Sequence, residues 1–221
     1  MPDVEDPEPA PLKIAVLVSG HGRGSNLGAI MAGCSSGEID GTVELVIGTR
    51  TDSPALERAR NAGIPTIVVS PRKYQDDEAG YAAALLRVLG KSEPGLICLA
   101  GYMLKLPDAV LEQYPGRVMN IHNALLPLFG GKGMYGENVH RAVLASGVKL
   151  SGCTVHFVDN QYDNGPIIVQ SPVPILDADT PETLAARVLV QEHKCYVRAV
   201  RLFAKGALSI VERRVLGADP E

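Results

Sequence analysis

The strongest constraint on this chain is an alternation of short, largely apolar runs with helix-patterned segments. Lys13 to Val18 (KIAVLV), Val43 to Gly48, Ile64 to Val69 and Leu96 to Ala100 (LICLA) are each too short for a stable helix. A run apolar at every position suits a strand buried on both faces, because successive side chains point to opposite sides. Between the runs lie a helix opened by Ser25 or Asn26, another from Ser53-Pro54 through Asn61, and a third from Asp76 to Leu89. A short helix, Asp108 to Gln113, precedes a fifth run, Val118 to Ile121. Strands alternating with helices predict a mainly parallel sheet with helices on both faces and right-handed crossovers. The pattern then changes. Leu150 to Val158 and Pro166 to Val173 read as antiparallel partners joined by the polar turn Asp159 to Gly165, and a long helix from Thr180 to about Ala204 closes the pattern. The fold class is α/β, Rossmann-like, with an antiparallel C-terminal extension.

A chain of 221 residues, 46% hydrophobic, can bury a substantial core as one domain. We expect that domain over residues 13–216, after an acidic, proline-rich, disordered leader (1–12) and before a disordered tail (217–221). A net charge of −4 with scattered Lys and Arg argues against a general nucleic-acid or membrane-surface binder. Cys34, Cys98, Cys153 and Cys195 form no CxxC pair, so reduced thiols in the cytoplasm are expected and no metal site is implied. No apolar run approaches the roughly 18 residues of a membrane span.

Chemistry concentrates in Gly116 to Pro127, GRVMNIHNALLP. Asn120 and His122, two apart in a strand, share one face, and the strand runs directly into a loop, where open α/β sheets place their sites. The bland alternative is a core histidine satisfied by one hydrogen bond. Earlier, the first strand leads through Gly20-His21-Gly22-Arg23-Gly24-Ser25-Asn26 into a helix. Glycines there admit close approach of an anion to free N–H groups at the helix start. A dinucleotide fingerprint fails because Ser25 stands where glycine or alanine belongs and no acidic residue ends the second strand. Two decoys are set aside. Gly90-Lys91-Ser92 lacks the first glycine of a P-loop, and Gly33 to Gly37 (GCSSG) follows a helix instead of the strand a nucleophile elbow needs. The connection Gly101 to Pro107 is unusually apolar, fit either for core packing or for lining a pocket for a flat ring.

Together, NIHxxLLP at Asn120 to Pro127, GCTVHFVDxxYDxGPII at Gly152 to Ile168, GSNL at Gly24 to Leu27 and QEH at Gln191 to His193 resemble the glycinamide ribonucleotide transformylase family, in order and over about Lys13 to Leu216. The resemblance implies formyl transfer from 10-formyltetrahydrofolate to the amine of glycinamide ribonucleotide, in purine biosynthesis. It implies a catalytic trio of Asn120, His122 and Asp163, and a phosphate loop of Gly24, Ser25 and Asn26. A second substrate segment would comprise Leu189, Val190, Gln191 and Glu192, with Glu192 gripping hydroxyls. Folate would contact Asn120, then Met103, Leu104, Lys105 and Leu106, and Asp159, Asn160, Gln161, Tyr162 and Asp163. No nucleic-acid, membrane or metal partner is implied, and a homodimer is left open.

Attack by an amine on a formyl carbon builds negative charge on the formyl oxygen, so the site needs donors and a route for the amine proton. Asn120 and a protonated His122 would supply donors. A carboxylate at Asp163 would raise the histidine pKa and relay the proton. Several positions depart from the family pattern. Asn123 stands where proline is common, the Gly130 to Gly136 stretch is expanded and expected to be mobile before ligand arrives, and Val197 replaces a proline. Glu78 falls near the place of a folate-contacting arginine, with only Arg72 close by. The rivals are formyltetrahydrofolate deformylase, which uses the same trio on water, methionyl-tRNA formyltransferase, and a non-catalytic folate- or nucleotide-binding module.

Overall fold

A computed structural model describes residues 10–20 and 22–218. The expected leader, apart from its last residues, the end of the expected tail, and His21 lie outside the described residues. The parallel half is built from β1 (Leu12–Val18), α1 (Ser25–Ser35), β2 (Gly41–Gly48), α2 (Pro54–Asn61), β3 (Thr66–Val68), α3 (Glu78–Ser92), β4 (Leu96–Leu99), α4 (Asp108–Gln113) and β5 (Val118–His122). Then follow α5 (Glu137–Ser146), β6 (Leu150–Phe157), β7 (Ile167–Pro174), α6 (Pro181–Ala204), β8 (Ser209–Val211) and β9 (Arg214–Leu216). Among the described residues the strands form one sheet in the order β3-β2-β1-β4-β5-β6-β7-β9-β8. β1 to β5 pair in parallel, whereas β6 is antiparallel to both β5 and β7.

The apolar runs are continuous because the sheet has a core on each face. Along β1, Ile14, Val16 and Val18 enter the core that also holds Leu27, Leu56 and Tyr196, while Ala15 and Leu17 enter the other with Tyr81, Leu85 and Val110. Each such fully buried aliphatic side chain contributes about 1.5–3 kcal/mol. Helix α6 is locked onto the parallel half by Tyr196, whose hydroxyl donates to the Leu99 carbonyl at 3.0 Å and lies 3.1 Å from that of Met119. Its start is fixed by a reciprocal cap between Thr180 and Thr183 behind Pro181.

The order of strands reverses between β1 and β4, so their carboxyl ends open a crevice there. Ser19 bridges it. Its hydroxyl donates to the Gly101 carbonyl at 3.0 Å and accepts from the Met103 amide at 2.7 Å. Some elements escaped the sequence reading. Helix α5 carries a readable signal, since Val139, His140 and Val143 form its buried stripe and Gly147 ends it in the left-handed region. The β8–β9 hairpin does not, because Ser209–Val211 is exposed throughout.

Candidate active site

The end of β5 presents Asn120 and His122 on one side, as their spacing requires. In the β5–β6 register Asn120 faces His156 and His122 faces Thr154. Thr154 then secures the turn after the histidine. Its hydroxyl donates to the Ala124 carbonyl at 2.7 Å and accepts from the Leu126 amide at 3.0 Å. Asp163 comes from the β6–β7 connection, turned inward at a residue with φ 52.

These groups converge. Asp163 Oδ2 lies 3.6 Å from His122 Nδ1 and accepts from the Gly131 amide at 2.9 Å. Asp163 Oδ1 lies 3.5 Å from Asn120 Nδ2 and 3.7 Å from His156 Nε2. His156 Nδ1 donates to the Phe157 carbonyl at 2.8 Å, and its Nε2 lies 3.2 Å from Asn120 Nδ2. His156 is therefore a fourth member that sequence reasoning missed. It stood inside the GCTVHFV motif, but only strand register places it opposite Asn120.

The expectation of a net rise in the His122 pKa is corrected. Burial pushes its pKa below the ordinary value. Asp163 and the Phe129 carbonyl do pull upward, yet burial outweighs them and His156 adds to the depression. His122 Nε2 lies 2.9 Å from the Phe129 carbonyl, so the single hydrogen of the neutral ring sits at Nε2 and a bare Nδ1 faces Asp163. For Asp163, burial alone would raise the pKa, but contact with His156, the pull of His122 and the Gly131 amide together hold it below the usual carboxylate value.

The glycine loop meets α6. Gly24 precedes α1 with φ 67, and no side chain among the described residues caps that helix start, which leaves its first N–H groups for an anion. A Cβ at Gly24 would stand 2.7 Å from that of Ala55, so only glycine fits. Asn26 Nδ2 donates to Glu192 Oε2 at 2.7 Å across 166 residues of sequence. Glu192 is buried, which raises its carboxyl pKa against the hydrogen bond from Asn26. The buried Asn26 Oδ1 has no protein partner among the described residues. Gln191 accepts from Ser171, Leu189 is half-buried, and Val190 is exposed to solvent.

Of the apolar connection, Leu106 is buried, Leu104 half-buried, Met103 exposed, and Lys105 pairs with Asp108 at 2.9 Å. Core packing and pocket lining thus divide within one segment. Tyr162 lies close enough to Lys105 and Tyr102 to act on both electrostatically, so the two loops border one crevice. Asp159 braces the second loop, accepting from the Gln161 amide at 2.9 Å and from Asn164 Nδ2 at 2.7 Å, while Asn160 and Gln161 are exposed. A cleft of about 600 Å³ lined by Arg23, Met31, Pro54, Glu57 and Arg58 contains none of the trio.

Residues 12–200 match the family model described as formyl transferase. The chain belongs to the formyl transferase family. It is 46% identical over 193 residues to a chloroplastic phosphoribosylglycinamide formyltransferase of Arabidopsis thaliana, covering 87% of this chain and 65% of that protein. It thus spans about two thirds or less of the length of the plant relatives it matches. Phosphoribosylglycinamide formyltransferase of Escherichia coli is 38% identical over 201 residues, 91% of each chain. Among solved structures, glycinamide ribonucleotide transformylase 1 from Symbiobacterium toebii superposes with TM-score 0.89 at 44% identity, covering 96% of both chains. A formyltetrahydrofolate deformylase from Pseudomonas syringae shares the fold, with TM-score 0.83, at only 24% identity. The mainly parallel α/β sheet of this formyl transferase with its antiparallel extension is the architecture anticipated from the alternation of runs.

Proposed function

We propose that this formyl transferase moves the formyl group of 10-formyltetrahydrofolate onto the amine of glycinamide ribonucleotide, in the cytoplasm, with residues 13–216 acting as one domain. The observation that carries this reading is the convergence of two sites. Asn120, His122 and Asp163 gather at the end of β5, and the Asn26–Glu192 bond joins an open helix start to a buried carboxylate. A phosphate on the α1 amides and ribose hydroxyls at Glu192 account for the second site, and water as acceptor would need neither.

The amine attacks the formyl carbon, forming a C–N bond and placing negative charge on the formyl oxygen. Asn120 Nδ2, whose contact with Asp163 is long at 3.5 Å, turns one N–H to that oxygen. The proton the amine releases reaches the bare Nδ1 of His122 by way of Asp163, which faces that nitrogen and then stabilises the imidazolium. The charged ring is then a stronger donor at Nε2, where the formyl oxygen replaces the Phe129 carbonyl. Breaking the bond to folate N10, which leaves with a proton, returns His122 to neutrality. Folate lies between the Met103–Leu106 and Asp159–Asp163 loops, with Met103 and Tyr162 offering exposed apolar surface.

Incubation with 10-formyltetrahydrofolate, with and without glycinamide ribonucleotide, tests this reading. Formylated ribonucleotide should accumulate only when acceptor is present. Tetrahydrofolate and formate appearing at the same rate without acceptor would assign the chain to deformylation instead.

A further inference from the structure

The residue after His122 is tied to the start of the next helix in a way no other part of the site repeats. Asn123 Nδ2 donates to the Gly136 carbonyl at 3.1 Å and to His140 Nε2 at 2.9 Å, one amide hydrogen for each acceptor. Gly136 closes the glycine-rich stretch and immediately precedes α5. His140 lies one turn inside α5 and is only 3% exposed, and its Nδ1 has no partner among the described residues. The bond to Asn123 is thus the one hydrogen bond its ring makes among them.

The front of that stretch touches the reacting groups through backbone atoms alone. The Phe129 carbonyl takes the Nε2–H of His122 at 2.9 Å, and the Gly131 amide donates to Asp163 Oδ2 at 2.9 Å. The segment is braced internally, with the Met134 amide donating to the Gly131 carbonyl at 3.0 Å and Asn138 Nδ2 to that of Gly133 at 3.3 Å. Hydrogen bonds therefore fasten this stretch at both ends.

We infer that Asn123 is a positioning residue for formyl transfer: by fastening Gly136 and His140 to the end of β5, it holds the Phe129–Gly131 backbone in the place that sets His122 against Asp163. The inference rests on the reading of Asn120, His122 and Asp163 as the reacting groups. A proline at position 123 would stiffen the backbone but has no donor for either acceptor. Asn123 instead transmits order through the loop, and small displacements of reacting groups are expensive in rate.

The test uses the full chain with Asn123→Ala and with Asn123→Asp, which keeps the side-chain shape and removes the N–H groups. Both variants should lower kcat about tenfold while KM for each substrate stays within about twofold, since both amide hydrogens of Asn123 are taken up by Gly136 and His140. By loosening the loop over a buried imidazole, both should also move the His122 titration upward in NMR, toward the ordinary value. A residue that merely supports the fold would lower Tm without moving that titration. If folded Asn123→Asp keeps normal kcat and an unchanged His122 titration, the inference is overturned. His122→Ala, run alongside, separates the two claims. Normal turnover in that variant sinks the reading of the trio, whereas loss of turnover there with no effect at Asn123 sinks only the positioning role.

Discussion

Three glycines of the loop between β1 and α1 face different constraints, and alanine at each should give a graded response. Gly22 is not in the left-handed region, and a Cβ there would meet nothing closer than the Ser19 carbonyl oxygen at 3.9 Å. Gly22→Ala should therefore leave stability unchanged or raise it by about 0.4–1 kcal/mol, through the unfolded chain. Gly20 has φ 65 with open space around it, so alanine meets only the left-handed backbone penalty of about 1–2 kcal/mol. Gly24 has φ 67 and would also set its Cβ 2.7 Å from Ala55 Cβ and 2.9 Å from Ala55 Cα. Ala55 is 2% exposed on α2 and cannot retreat without moving that helix. Overpacking adds about 1–3 kcal/mol, for a total of roughly 2–5 kcal/mol. At about 2–4 °C per kcal/mol for a chain of this size, Gly24→Ala should melt about 4–20 °C lower and Gly20→Ala about 2–8 °C lower. Circular dichroism melts at matched concentration provide the comparison. Because α1 starts at Ser25, Gly24→Ala should also raise the ribonucleotide KM several-fold, measured well below its Tm, with folate KM nearly constant. Equal melting of the Gly20 and Gly24 variants would refute the close packing on Ala55. An unchanged ribonucleotide KM in folded Gly24→Ala would remove the α1 start from the acceptor site.

Two further perturbations address the charges. Asp163→Asn withdraws the carboxylate that opposes the burial of His122, so the histidine titration should fall further below its ordinary value and kcat should drop about a hundredfold or more; an unmoved titration in the NMR experiment would dissolve the pair. Glu192 has a raised pKa in the fold, so the stability it contributes is fully present below the unfolded carboxyl value and is lost as pH rises through the folded one. Glu192→Gln should accordingly gain Tm over the parent protein between acid and neutral pH while the ribonucleotide KM rises, and a variant with the parent's pH dependence and a lower Tm at neutral pH would contradict the account.

Much of the architecture was legible because burial on both faces writes itself into composition. Lys13 to Val18 could be assigned without knowledge of its neighbours, since Ile14 and Ala15 enter different cores and both must be apolar. Asn120 and His122 were legible for the converse reason, being polar on one side of a strand that is otherwise buried. Helix α5 was within reach by its periodicity but was hidden behind a glycine-rich stretch. The β8–β9 hairpin had no such signal, because exposed three-residue strands bury too little to constrain their sequence.

What the sequence could not carry was the balance of opposing effects. A carboxylate near a histidine predicts an upward pull, and the structure retains that pull, but the sign of the net shift depends on how deeply the ring is buried and on His156 across the strand pair. Neither is encoded locally. Within the proposed transfer, the result changes the order of events at the site. A neutral His122 with its only hydrogen on Phe129 begins as a proton acceptor at Nδ1 and becomes a strong donor at Nε2 only after the amine has given up its proton. Proton uptake is thereby tied to stabilisation of the formyl oxygen. The ring then needs Asp163 close at 3.6 Å but not already in a short hydrogen bond, and that separation depends on backbone atoms of the very loop that Asn123 fastens.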